Sequence, residues 1–202
     1  MADDLHRLVS GTLGLGSVFA VGHDWGGSTA AAWAGAHPEQ VIKLVVIEAQ
    51  PRGPWSGPEP WFYALHKAQG LAEALTAGRE RTYLTWFYRN FAANPDAIAP
   101  SDINVYLRSY GSAAGMRPGF ELVRALPRDV EANVEAAKSP AHLPVLAIGG
   151  DKGMAGAVAA NLKPLFSNVR EVVVADSGHF VPEEQPEALA RLIIDFLSDR
   201  PR

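Results

Sequence analysis

The sequence predicts an α/β fold in which a parallel sheet carries helices on both faces and a helical segment is inserted into it. Three observations lead there. Short apolar runs at residues 17–21, 41–47, 144–148 and 169–175 alternate with helical patterns, the order that builds parallel strands joined by right-handed crossovers. The stretch Gly22-His23-Asp24-Trp25-Gly26-Gly27 lies between the first run and a small-residue helix, residues 28–36. It reads as strand, tight turn and helix with a carboxylate at the apex, and Gly22 and Gly26, two positions to either side of Asp24, let the backbone pass closely. Finally, residues 51–139 show helical patterns and no strand, a span too long for a simple connection. The expected organisation is therefore a core of residues 1–50 and 140–202, with residues 51–139 as a helical cap. Such a cap would lie over the carboxyl edge of the sheet, where open parallel sheets bind ligands.

Each element has a local justification. Residues 2–13 place Leu5, Leu8, Val9 and Leu13 on one helical face, and Gly14 and Gly16 stop the helix. The helix after Asp24 ends at His37-Pro38. Residues 41–47 are apolar apart from Lys43, as a strand buried on both faces should be. Pro51, Pro54, Pro58 and Pro60 with Gly53 and Gly57 form a stiff loop. In the cap, residues 79–91 carry Tyr83, Leu84, Phe87 and Phe91 on one stripe, and helices are also expected over 102–110 and 119–137. The run 144–148 ends in Gly149-Gly150. A helix is expected over 154–166, with Pro164 late in it, then a strand leading to Asp176-Ser177-Gly178-His179. The last helix, 186–199, directs Leu189, Leu192, Ile193 and Phe196 at the core.

Composition narrows the function classes. The chain has 202 residues, 48% hydrophobic and 20% charged, with a formal net charge of −4. That charge gives no reason to expect nucleic acid or an anionic membrane as a partner. With no cysteine there is no disulfide framework, thiol nucleophile or thiolate zinc site. Residues 1–10 are not a signal peptide, and no apolar run approaches the roughly 20 residues of a membrane span. A cytoplasmic location is the expectation. No two histidines have metal-ligand spacing on a common helix, so neither a metal nor another cofactor is expected.

The chemistry rests on few side chains. Asp24, at the apex, is the candidate nucleophile; the competing reading is an ordinary cap of the next helix. His179 follows the last strand in Ser177-Gly178-His179-Phe180 and is the candidate base, against the commoner reading of a loop histidine. Of the other histidines, His23 is expected to point into the fold, His66 to line a cap pocket, and His6, His37 and His142 to be peripheral. Two acids compete to hold the imidazole: Glu48, ending the second strand, and Asp151, following the third.

The elbow, the cap and Ser177-Gly178-His179-Phe180 resemble the epoxide hydrolase and haloalkane or haloacetate dehalogenase group of the α/β-hydrolases. Leu71-Ala72-Glu73-Ala74-Leu75, Gly78-Arg79-Glu80, Gly115-Met116-Arg117 and Phe120-Glu121-Leu122 resemble the cap of epoxide-hydrolase-like members. The resemblance implies an Asp nucleophile acting through an alkyl-enzyme ester on a small-molecule epoxide or organohalide. It favours Glu48 as the acid, because the position usual in epoxide hydrolases holds Gly153. It implies Trp25 as oxyanion and leaving-group donor, with Trp61 and Tyr63 binding substrate. Two departures stand out. The second ring-opening tyrosine should immediately precede Arg124, where Val123 stands, leaving Tyr106 and Tyr110 as nearby substitutes. The His-Gly-x-Pro oxyanion loop and the N-terminal strands of the family are missing, which implies a partial, N-terminally truncated fold. Epoxide hydrolysis is the favoured activity and dehalogenation the alternative. A third reading is an inactive fragment or interaction module, whose open sheet edge invites pairing as a homodimer.

Overall fold

The computed structural model describes residues 1–51 and 59–199. The expected loop glycines Gly53 and Gly57, with Pro54 and Pro58, lie outside the described residues. Four parallel strands, β1 (Val18–His23), β2 (Val41–Ile47), β3 (Ala141–Gly150) and β4 (Phe166–Val174), form one sheet in the order β1-β2-β3-β4. The register runs from His23 opposite Ile47 to Ile47 opposite Ile148, so all strands end along one carboxyl edge.

Period-two alternation divides the core between two faces. Leu44, Val46, Val145 and Ala147 pack with α2 (Trp25–Ala36) and α8 (Ala157–Leu162). Val45, Ile47, Leu146 and Ile148 pack with α9 (Val181–Glu184) and α10 (Pro186–Ser198). The chain opens with α1 (Ala2–His6), which continues as a π-helical stretch, Arg7–Thr12. The wider π turn keeps Leu5 and Val9 against the core but leaves Leu8 and Leu13 exposed. Those two residues therefore depart from the single face that ordinary helical spacing assigns them.

Between β2 and β3 the described residues form α3 (Trp61–Lys67), α4 (Leu71–Thr76), α5 (Glu80–Phe91), α6 (Pro100–Tyr110) and α7 (Ala113–Ala136). The helix expected over 119–137 begins earlier because the Ser112 hydroxyl caps it, accepting from the Gly115 N–H at 3.1 Å. The insertion has its own small core, with Ala72, Met116 and Phe120 buried against Leu65, Tyr83 and Leu84. The helix expected over 154–166 is only six residues long, Ala157–Leu162. Pro164 lacks the N–H needed to continue it, and Phe166 already pairs with Ala141 in the sheet. Among the described residues no helix is long and apolar enough to cross a membrane.

β2 also departs from expectation. Lys43 is buried and Ile42 is exposed. The Lys43 ammonium donates to the carbonyls of Phe196, at 2.6 Å, and Asp199 at the end of α10. A cation is favoured there because the last turn of a helix presents unpaired carbonyls and the negative end of its dipole.

Candidate active site

Strand ends at the carboxyl edge build the site, and the backbone there is strained. Asp24 follows β1 with φ 52°, Glu48 follows β2 with φ 44°, and Asp176 follows β4 with φ 53°. Positive φ is uncommon for residues with a Cβ and needs surrounding structure to enforce it. At Asp24 the enforcement is visible. Its N–H donates to the Ile47 carbonyl at 3.0 Å, and the next residue starts α2. A Cβ at Gly22 would lie 2.4 Å from the Gly26 carbonyl oxygen, and one at Gly27 would lie 2.6 Å from the Ala49 Cβ. A Cβ at Gly26 would meet nothing within 4 Å. Close packing therefore requires the pair Gly22 and Gly27, where the motif alone suggests Gly22 and Gly26.

Asp24, His179 and Glu48 come together in a line. His179 Nε2 lies 3.7 Å from Asp24 Oδ2, and His179 Nδ1 lies 3.3 Å from Glu48 Oε2. The Asp24 side chain is about half exposed at 49%, while Glu48 is at 1%. Glu48 Oε1 accepts from the N–H groups of Gly150 and Met154, both at 2.8 Å. Burial alone would hold the His179 imidazole neutral, but the Asp24 and Glu48 carboxylates more than reverse this and raise its pKa to about 9. The resting arrangement is thus an imidazolium between two carboxylates.

The competing acid is engaged elsewhere. Asp151 accepts from the Ser177 N–H at 3.1 Å and pairs with Lys152 at 3.0 Å. It braces the loop before His179 without reaching the imidazole. Gly153 explains why Glu48 fits: a Cβ there would lie 2.6 to 2.7 Å from the Glu48 carboxylate atoms. The space that an acid at position 153 would enter is filled by Glu48.

The backbone of His179 is held as well. Its N–H donates to the Phe91 carbonyl at 2.8 Å. Its own carbonyl lies 2.8 Å from His23 Nε2, and burial followed by repulsion from His179 lowers the His23 pKa. With Nε2–H pointed at that carbonyl, His23 is a neutral donor, set inward as its sequence position suggests.

Trp25 begins α2, and its ring lies 6.5 Å from that of Tyr63 on α3. Trp25 also forms part of a cleft of about 790 Å³ between α2 and α7 that includes Ala32, Pro118, Leu122 and Leu126. A second cleft of about 750 Å³ runs along β1, α1 and α2. Trp61 is more than half exposed, and its ring contacts are with Phe62, Trp86 and Phe87. Val123 is buried within the insertion. The Tyr106 hydroxyl donates to Glu183, and Tyr110 is exposed. His66 pairs with the Tyr83 hydroxyl at 2.5 Å, and burial with the nearby Arg124 charge lowers its pKa to about 4. It packs with Phe62, Phe87 and Phe120 as a neutral member of the insertion's core.

Sequence reasoning missed Glu184, whose carboxylate accepts from the N–H groups of Gly178, Ala93 and Asn94. Adjacent glutamates closing a four-residue helix carry no signal that one of them reaches so far along the chain.

Comparison with known proteins agrees with this architecture. The profile of the Alpha/beta hydrolase family matches residues 1–192. A soluble epoxide hydrolase of Corynebacterium sp. (strain C12) is 28% identical over 209 residues, which cover 98% of this chain and 72% of that protein. A fluoroacetate dehalogenase of Burkholderia sp. is 24% identical over 222 residues, covering 98% and 69%. The crystal structure of Cfl2 from Burkholderia cenocepacia superposes with a TM-score of 0.88 at 35% identity, covering 96% of this chain and 70% of that one. The chain therefore spans about seven-tenths of these relatives. With a family profile along nearly its whole length and relatives of both activities, the chain belongs to the alpha/beta hydrolase family, in its epoxide hydrolase and dehalogenase-like group.

Proposed function

We propose that this hydrolase acts through an alkyl-enzyme ester on Asp24, and that its substrate is an epoxide. The observation that carries the reading is the line from Asp24 through His179 to the buried Glu48. A carboxylate at an elbow is suited to displacing a leaving group from saturated carbon. In the first step an Asp24 oxygen bonds to an epoxide carbon, and the carbon–oxygen bond of the ring breaks. The Tyr63 phenol, beside Trp25, protonates the departing alkoxide, and the phenolate left behind recovers its proton from the His179 imidazolium by way of solvent. In the second step His179 takes a proton from water, and the resulting hydroxide attacks the ester carbonyl of Asp24. The Trp25 backbone N–H stabilises the oxyanion; collapse breaks the acyl carbon–oxygen bond, and the Asp24 carboxyl proton passes to the leaving oxygen, which releases the diol and regenerates the carboxylate. The helices between β2 and β3, α3 to α7, serve as the cap over this site.

The electrostatics order the two steps. While Asp24 is charged, it helps keep His179 protonated. Alkylation makes Asp24 a neutral ester and removes that support. The imidazole pKa then falls toward neutrality, and His179 becomes a competent base only after the ester exists.

The alternative substrate is an organohalide, favoured by the placement of Val123 in the insertion's core where a second phenol would be needed. The Trp25 indole would then face the departing halide. A neutral haloalkane fits better than a haloacetate, because the charges beside His179 are already two carboxylates. Offering an epoxide and a haloalkane separately and scoring diol against halide decides between the substrates. Single turnover in ¹⁸O-water tests the mechanism. Label in an Asp24-containing peptide is expected, and full activity with no label, or full activity in Asp24→Asn, overturns it.

A further inference from the structure

The base-bearing loop is fastened to the helical insertion through one carboxylate, and no reaction step described above uses that carboxylate. Glu184 lies at the end of α9. Its Oε2 accepts from the Gly178 N–H at 2.8 Å. Its Oε1 accepts from the Ala93 N–H at 2.6 Å and the Asn94 N–H at 3.1 Å, just beyond α5. One side chain therefore clasps the residue before His179 and the end of an insertion helix. The surfaces it joins are in direct backbone contact. A Cβ at Gly178 would lie 2.4 Å from the Phe91 carbonyl oxygen and 2.6 Å from the Ala93 nitrogen. That same Phe91 carbonyl accepts the His179 N–H at 2.8 Å, and the Phe91 ring stands edge-on to the imidazole at 6.2 Å.

We propose that Glu184 is a positioning residue for His179, holding the imidazole in register with Asp24 and Glu48 by fastening its loop to α5. The claim rests on the assignment of His179 as the base that hydrolyses the ester. The clasp is charge-assisted at three N–H groups, the stronger kind of hydrogen bond. It acts where a small displacement matters: His179 Nε2 is 3.7 Å from Asp24 and Nδ1 is 3.3 Å from Glu48. Displacements near 1 Å cost about a hundredfold in rate at sites of this kind. Because Glu184 touches neither Asp24 nor the reacting carbon, its loss should spare alkylation and impair hydrolysis of the ester.

The test is Glu184→Gln, which keeps the shape but sets an amide NH₂ against one of the backbone donors. Intact-mass spectrometry during a single turnover separates the two steps. Hydrolysis of the alkyl-enzyme is expected to slow by about ten- to a hundredfold, as for loss of one positioning contact. Alkylation is expected to stay within about threefold, so the covalent adduct accumulates. Gly178→Ala, which drives the same surfaces apart, should reproduce the pattern, while Glu187→Ala, at an exposed position in the first turn of α10, should not. NMR titration of the His179 imidazole in the resting protein supplies a readout independent of turnover, and its pKa should drop from about 9 toward its ordinary value in Glu184→Gln. Equal slowing of both steps, or an unchanged His179 titration, overturns the proposal. If wild-type protein forms no adduct with either substrate class, the ester mechanism fails, and the titration still decides the role of Glu184.

Discussion

Glu48 and Gly153 show how single residues share one function across the sheet. The acid arrives from the end of β2, and the glycine 105 positions later leaves it room. If His179 is the base as proposed, Glu48→Ala should lower turnover by about 10³- to 10⁴-fold, the loss expected when the group orienting a catalytic histidine is removed. Adding Gly153→Asp to that variant should recover part of the loss, because a side chain at 153 points into the vacated space; steady-state kinetics on the two variants checks this. The His179 imidazole also makes stability depend on pH. Its folded pKa is raised to about 9 from an ordinary 6.5. The associated stabilisation is complete below about pH 6.5 and disappears as pH rises through about 9. Denaturant unfolding between pH 6 and 10 should show that decline, and His179→Gln should flatten it. Hydrolysis of the ester should behave differently. Its acid limb should fall well below pH 9, because the proposed ester leaves Asp24 uncharged.

At the scale of elements, β2 and α10 are joined by a buried cation. Lys43 is only 4% exposed and donates to carbonyls at the end of α10. Lys43→Met would leave those acceptors unpaired in a dry setting, so stability should fall by about 1–3 kcal/mol, measurable by urea denaturation. Within the insertion, Arg124 on α7 donates to both carboxylate oxygens of Glu73 on α4, at 2.8 and 3.1 Å. Spacing alone could place these residues on helices but could not pair them. The paired strands and the long helices were legible because period-two and period-3.6 patterns are local. The π-helical stretch was not, since the same leucine spacing fits an ordinary helix.

Across the whole molecule, β1 and β4 are the two edge strands of the sheet among the described residues. Among the described residues β1 pairs only with β2. Phe19 and Val21 are each nearly half exposed. Such an edge is prone to pairing with other chains. Phe19→Lys should raise the temperature at which heated protein scatters light, since a charge on an exposed strand opposes association. The loop that follows β4 is secured, because the helical insertion meets it through backbone contacts and Glu184.

The sequence by itself determined the parallel α/β order, the elbow with Asp24 at its apex, His179 after the last strand and a helical insertion between the second and third strands. These follow from spacing along the chain and from the geometry each residue type permits. It left Glu48 and Asp151 as competing acids, because both end a strand and both are carboxylates. Tertiary structure alone decided which of them faces the imidazole. That depends on the strand order and on the missing Cβ at Gly153. It also decided that Lys43 is buried and that Glu184 binds two distant backbones. Each of these outcomes depends on residues brought together from far apart in the chain, and no local pattern encodes such a meeting.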